Sequence, residues 1–216
     1  MNKKTKIQKP KILNNLYKYT SEEVLDKIFD YETVEDALID DDKIHDISEV
    51  SIRLNGCVFR NVVFENCDFR KIDMVDVIFE NCDLSNIDFS NSGIYRVEFI
   101  NCKLVGSLFN DCILKSVVFK ETMGRYLNLA FSKFKGINII NSDFSYSVFQ
   151  EVENEGMYLE NSNLIKTVFT GISLNDVDFT TSNIDGIELR LKDVQGGVFS
   201  VEQALDLTKL MGIVIR

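Results

Sequence analysis

The side chains most able to do chemistry are five cysteines, one histidine and a run of adjacent aspartates. The cysteines stand at 57, 67, 82, 102 and 112, separated by 10, 15, 20 and 10 residues. A structural zinc site needs ligands paired closely in sequence, most often as C-x-x-C. No such pair occurs, and His45 has no partner at ligand spacing. Asp40, Asp41 and Asp42 could attract calcium, but the alternating ligands of a calcium loop are missing, so they read as a solvated charge run. There is no nucleophile–base pair and no phosphate loop, and neither an enzyme nor a cofactor is expected. What the cysteines share is a spacing that is always a multiple of five.

That period organises the chain. Every fifth residue from Leu54 to Leu189 gives 28 positions, of which 26 are large and apolar. The exceptions are Gly124 and Asn154, either of which could mark a small bulge. Neither a helix nor a single strand keeps such a phase. Two residues before each centre lies a small or β-branched side chain, and all five cysteines fall in this slot. They read as small buried hydrophobes. Two residues after each centre Asn, Gly or Asp is frequent, as in Gly56, Asn61, Asn66, Asp76 and Asn81, which suits tight turns. Each pentapeptide is therefore a short extended piece and a turn, with two side chains inward and three outward.

Local units such as Cys67-Asp68-Phe69-Arg70-Lys71, Cys82-Asp83-Leu84-Ser85-Asn86 and Ser142-Asp143-Phe144-Ser145-Tyr146 resemble the pentapeptide-repeat family, whose consensus is A-(D/N)-L-x-x. The resemblance covers about residues 50–190. It implies an all-β fold, a right-handed quadrilateral β-helix with four pentapeptides per coil. Grouping centres by twenty agrees with four sides. One column is Phe59, Phe79, Phe99, Phe119, Ile139, Leu159 and Phe179. The opposite column contains Phe69, Phe89, Phe109, Phe149 and Phe169. These phenylalanines form the expected core. Seven coils spaced by about 4.8 Å give a rod of roughly 34 Å.

The organisation expected from sequence has four parts. Residues 1–19 are a flexible basic N-terminus. Residues 20–50 are an acidic N-terminal cap, with a helix opening at Thr20–Ser21 and presenting Val24, Leu25, Ile28 and Phe29 on one face. Residues 51–199 are the β-helix. Residues 200–216 form a helix that starts with a capping box at Ser200 and Gln203, stops at Gly212, and is followed by a strand at Ile213-Val214-Ile215. Leu205, Leu207, Leu210, Met211, Ile213, Val214 and Ile215 exceed what one cap needs, and are expected to join a homodimer end to end.

The ending Ser200-Val201-Glu202-Gln203-Ala204-Leu205 through Leu210-Met211-Gly212-Ile213-Val214-Ile215, the length of 216 residues and the unbroken repeat resemble the quinolone-resistance (Qnr-type) branch of the family. The resemblance implies a rod-shaped dimer that mimics duplex DNA, binds DNA gyrase and topoisomerase IV, and protects them from fluoroquinolones. A phase that survives from 54 to 189 is similar to loopless, chromosomally encoded members. The other reading is a generic pentapeptide scaffold for an unrelated protein.

Net charge is −10, which repels nucleic acid and membrane surfaces and favours basic partners. Direct nucleic-acid or membrane binding is not expected. Duplex DNA carries about 20 charges over about 34 Å, whereas residues 51–190 hold 19 acids against 13 bases. Mimicry would need local patches, and Glu65, Asp68, Asp73, Asp83 and Asp88 are the candidates to face a topoisomerase. No apolar run is long enough to span a bilayer, and the basic start lacks the apolar stretch of a secretory signal, so a cytoplasmic location is expected.

Overall fold

A computed structural model describes residues 7–48 and 51–214. The chain winds as a parallel β-solenoid whose neighbouring coils are offset by twenty residues throughout. After β1 (Tyr17–Lys18) and helix α1 (Ser21–Phe29), the first coil holds β2 (Thr33–Glu35), β3 (Ala37–Asp40) and β4 (Lys43–His45). The second holds β5 (Arg53–Asn55), β6 (Val58–Arg60) and β7 (Val63–Glu65). Four eight-residue strands follow, β8 (Asp73–Glu80), β9 (Gly93–Ile100), β10 (Ile113–Lys120) and β11 (Lys133–Ile140). Then come β12 (Glu153–Asn154) and β13 (Met157–Glu160). We number the sides by their centres: side one contains Leu54, side two Phe59, side three Phe64 and side four Phe69. The eight-residue strands run along sides one and two. On sides three and four, neighbouring coils meet through isolated bridges such as Asp83↔Lys103 and Asp88↔Leu108.

The corners explain the Asn, Asp and Gly. The residue two after nearly every centre takes a left-handed backbone, as in Gly56 (φ 67), Asn61 (φ 52), Asp76 (φ 58) and Asn81 (φ 56), with Thr181 and Leu191 as exceptions. Asn, Asp and Gly tolerate that region best, and other side chains are penalised there. The core phenylalanines are buried, and each named from Phe59 to Phe179 is at most 3% exposed. Rings stack along a column, with Phe79, Phe99 and Phe119 centred 5.2 and 5.1 Å apart. Rings from the facing column meet them edge-on, as Phe99 meets Phe109 at 6.1 Å and 90°.

The slot two before each centre is more specific than a small hydrophobe. Ser107, Ser132 and Thr167 donate to the carbonyls of Leu84, Phe109 and Phe144, at 2.7, 2.6 and 2.9 Å. Each carbonyl lies twenty-three residues earlier in the chain. The Cys112 thiol does the same toward Phe89 at 3.0 Å. All five cysteines are free and buried.

Several expectations are corrected. Residues 7–19 do not form a loose tail. The Gln8 and Lys11 amides donate to Ser116 Oγ (3.2 Å) and Asp76 Oδ1 (2.8 Å), and β1 pairs in parallel with β3. This strap runs along the corner between sides one and two, where Asp76 and Ser116, two coils apart, accept from its amides. Residues 1–6 lie outside the described residues. The solenoid also begins one coil earlier than residue 51, since β2, β3 and β4 pair with β5, β6 and β7. The cap is α1 alone, with Val24 and Ile28 buried and Phe29 exposed. Residues 49–50 are outside the description. Gly124 keeps the twenty-residue register, and its missing side chain leaves room for the Phe144 ring, 3.1 Å from where a Cβ would stand. Asn154 keeps register too, and its amide donates to Ser173 O. Neither is a bulge with inserted residues. Finally, Ile213 and Val214 form no strand, having no neighbour to pair with, and Ile215 lies outside the described residues.

Candidate partner-binding surfaces

Each end is closed by a helix positioned through backbone chemistry. At the N-terminal end, Thr20 and Glu23 form a capping box for α1, and the Ser21 amide donates to Asp42 Oδ2 at 2.7 Å. Burial alone would raise the Asp42 carboxyl. The amides of Lys43 and Ser21 outweigh it and hold the group below its ordinary value. The three adjacent aspartates thus diverge: Asp40 reaches Arg60, Asp41 accepts from Asn61, and Asp42 seats α1.

At the other end, helix α2 (Val201–Leu207) continues as a 3₁₀ turn over Thr208–Met211 and stops at Gly212 (φ 70). Ser200 and Gln203 form the expected capping box. The Gln203 amide also donates at 2.9 Å to both Phe179 O and Ser182 O, closing carbonyls of the last coil. Phe199 extends the ring stack onto Phe179 at 5.0 Å. Leu207 is half-buried against the core, so it belongs to the cap rather than to a dimer face. Leu205, Leu210, Met211, Ile213 and Val214 are exposed.

The five acidic candidates do not share a face. Glu65 and Asp83 lie on side three, Asp68 and Asp88 on side four, and Asp73 on side one. Of the five, only Asp68 and Asp88 bridge directly to each other. Three of the five sit beside cations: Glu65 with Lys43 (2.5 Å), Asp83 with Lys103 (3.5 Å), and Asp68 with Arg70. Opposite charges recur one coil apart elsewhere, as in Arg60–Glu80 and Lys133–Glu153. Simple alternation of outward residues gave no warning of this, because partners twenty residues apart are adjacent only once the coil is known.

Charge is nevertheless uneven along the rod. Residues 33–92 hold 14 acids and 5 bases, a net −9, whereas residues 93–172 hold 8 of each. Three coils span about 14 Å, over which duplex DNA carries about 8 charges. The strap's Lys9, Lys11 and Lys18 offset three of the nine along one corner. Beneath the strap, Asp76 and Arg96 form a buried pair with contacts of 2.5 Å, and Arg96 lies 4.0 Å from the Tyr95 ring centre.

A middle stretch of side four is different again. Its outward residues Asn128, Ala130, Val148, Gln150, Val168 and Thr170 carry no charge. The corners beside it hold Tyr126, Tyr146 and Phe131 in left-handed conformation (φ 60, 61 and 62). All three rings are exposed.

Among the described residues no group of His, Cys, Asp and Glu is arranged to hold a metal, and no helix is long and apolar enough to cross a membrane. The model of the pentapeptide repeat region matches residues 52–129 and 72–146. No curated protein matches the sequence. Among solved structures, full-length QnrB1, a plasmid-mediated fluoroquinolone resistance protein, is 18% identical over 84% of this chain and 99% of its own, with a TM-score of 0.42. HetL, a pentapeptide repeat protein involved in heterocyst differentiation regulation in the cyanobacterium Nostoc, is 12% identical over 83% of this chain and 92% of its own, with a TM-score of 0.37. A pentapeptide repeat protein of the Arabidopsis thaliana thylakoid lumen is 21% identical over 46% of this chain and 63% of its own, with a TM-score of 0.33. With its five-residue period, left-handed corners and twenty-residue coils, this chain is similar to the pentapeptide-repeat proteins, and residues 52–146 match that repeat region.

Proposed function

We propose that the protein is a non-enzymatic, protein-binding rod that acts on type II topoisomerases, DNA gyrase and topoisomerase IV, and shields them from fluoroquinolones. The observation that carries the reading is the charge of residues 33–92. It is net −9 over about 14 Å, or −6 with the strap's Lys9, Lys11 and Lys18 counted, where duplex DNA carries about 8 charges. A basic DNA-binding channel would be drawn to that third of the rod. The C-terminal sequence from Ser200, similar to the Qnr-type ending, adds support. Exposed apolar residues beyond the closing helix fit a homodimer joined end to end. The second reading, a scaffold for an unrelated protein, is favoured by the neutral stretch of residues 93–172.

A gyrase supercoiling assay with ciprofloxacin separates the two. We expect added protein at micromolar concentration to restore supercoiling. Protein that neither restores nor inhibits it would leave the scaffold reading in place.

A further inference from the structure

We propose that Cys82 and Cys102 form a two-thiol redox site, which a peroxide converts into a disulfide that staples the third coil to the fourth. The site is independent of what the rod binds.

Placement singles out this pair. Both cysteines stand two residues before a centre of side three, at Leu84 and Leu104. The Lys103 amide donates to Cys82 O at 2.9 Å, and Asp83 pairs with Lys103 across the same step. Just before them, Glu80 pairs with Ile100. The two Cα atoms are therefore one coil step apart, about 4.8 Å, inside the span of about 4.4–6.8 Å that a disulfide bridges. The other three cysteines have no cysteine in the adjoining coils. One coil before and after, Cys57 meets Ala37 and Val77, Cys67 meets Ile47 and Ile87, and Cys112 meets Ser92 and Ser132.

The two side chains point the same way. Cys82 donates to Phe59 O and Cys102 to Phe79 O, each at 3.4 Å. They also touch each other. A hydrogen bond from the Cys102 thiol holds the Cys82 thiol below its ordinary value, more than offsetting burial. Cys102 is pushed up by the same contact and by burial. The pair gives up one proton and keeps the other, so a thiolate rests against its partner thiol. Both cysteines line an open groove of about 420 Å³ at the corner between sides two and three, whose walls include Asn81, Asn101 and Lys103. The thiols are only 2 and 1% exposed, which selects an oxidant as small as hydrogen peroxide.

The chemistry balances with one peroxide. The Cys82 thiolate attacks a peroxide oxygen and the O–O bond breaks. Cys82 becomes a sulfenic acid, and the departing hydroxide takes up the proton that Cys82 released. The Cys102 sulfur then attacks the Cys82 sulfur, the S–O bond breaks, and the Cys102 proton leaves with that oxygen as water. Two thiols and one peroxide give one disulfide and two waters, and a dithiol reductant reverses the change. The bond closes a twenty-residue loop at the junction of the acidic residues 33–92 and the neutral residues 93–172.

The test treats reduced full-length protein with hydrogen peroxide, then denatures it, alkylates it with iodoacetamide and digests it with trypsin. Cleavage after Lys71, Arg96 and Lys103 puts Cys82 and Cys102 on separate peptides. We expect mass spectrometry to find these two joined and Cys57, Cys67 and Cys112 alkylated. The melting midpoint of the oxidised protein should rise by about 5 °C or more. Dithiothreitol should reverse both changes. Cys102→Ser keeps a donor for Phe79 O, as Ser107 and Ser132 supply one in the same slot. In that variant Cys82 should stop at a sulfenic acid that dimedone traps. Free thiols at 82 and 102, after peroxide that oxidises the unfolded chain, overturn the site. Pairings spread evenly over all five cysteines would trace the bond to unfolded protein and overturn it too. A joined pair that leaves the melting midpoint unmoved overturns the staple.

Discussion

A carbonyl on every inner wall of the coil waits for a donor from the slot twenty-three residues later. Serine and threonine supply a hydroxyl, as Ser132 does to Phe109, and cysteine supplies a thiol, as Cys112 does to Phe89. This explains why Cys, Ser and Thr exchange so freely in one slot, where a purely apolar reading would expect alanine or valine alone. Burial pushes the Cys57 and Cys67 thiols up to about 11 and the Cys112 thiol to about 12. In the native protein Cys57, Cys67 and Cys112 should therefore resist iodoacetamide at about pH 8, where an ordinary thiol near 8.5 reacts. All five should alkylate once denatured, and mass spectrometry after brief labelling counts them. A thiol that is harder to ionise in the fold favours the folded state below the unfolded value. That contribution is lost as pH rises from about 9 toward the folded value. Cys57→Ser and Cys112→Ser remove this alkaline loss while keeping a donor. If their denaturation midpoints fall with pH as steeply as that of wild type, thiol ionisation is not the cause.

At the scale of elements, the two ends separate what could be read in the sequence from what could not. The coil from 54 to 189 was legible because one side-chain period, five, controls both burial and turn. The capping box of α2 was legible because Ser200 and Gln203 sit at fixed spacing. The first coil was hidden, although Val34, Ile39 and Ile44 already stand in phase with Leu54. Glu49 interrupts that series, and the surrounding aspartates look like a solvated run. The strap was hidden for another reason: its hydrogen bonds span 65 and 108 residues, and no local pattern encodes them. Asp76 is its main post. Burial alone would raise this carboxyl, but bonds from Arg96 and the Lys11 amide prevail and hold it below its ordinary value. The ionised form is thus favoured by the fold. Its anchoring is complete above the ordinary aspartate value of about 3.9 and is lost as pH falls below it. Asp76→Asn removes the charge at every pH. We expect trypsin to cut after Lys11 about ten-fold faster in that variant at neutral pH, in line with loss of a charged hydrogen bond. Equal cleavage rates would place the strap's anchorage elsewhere, at β1 or at Ser116.

For the whole molecule, the asymmetry of the two ends singles out the C-terminal end as the one suited to meet a second copy. The N-terminal end is closed by α1, whose buried Val24 and Ile28 face the first coil, and is ringed by carboxylates that repel a second copy. The C-terminal end is closed by Gln203 and Leu207, and still exposes Leu210 (37%), Met211 (60%) and Val214 (80%). Apolar surface left beyond a completed cap is unfavourable in water, and a two-fold contact hides it on both copies at once. Eight coil steps from Leu38 to Val198 make each rod about 38 Å long, so an end-to-end pair reaches about 80 Å. Such a pair would set two acidic thirds at opposite tips, with the neutral residues 93–172 of each copy leading to a mildly acidic join, where residues 173–214 hold 7 acids and 3 bases. Analytical ultracentrifugation should return a dimer at micromolar concentration, with friction well above that of a compact sphere. Leu210→Asp with Met211→Asp should give monomers with an unchanged melting transition, because neither side chain packs into the core. A wild-type monomer would rule out this interface. A dimer that survives both substitutions would place the contact on a side of the solenoid, where the aromatic corners of side four are the next surface to test.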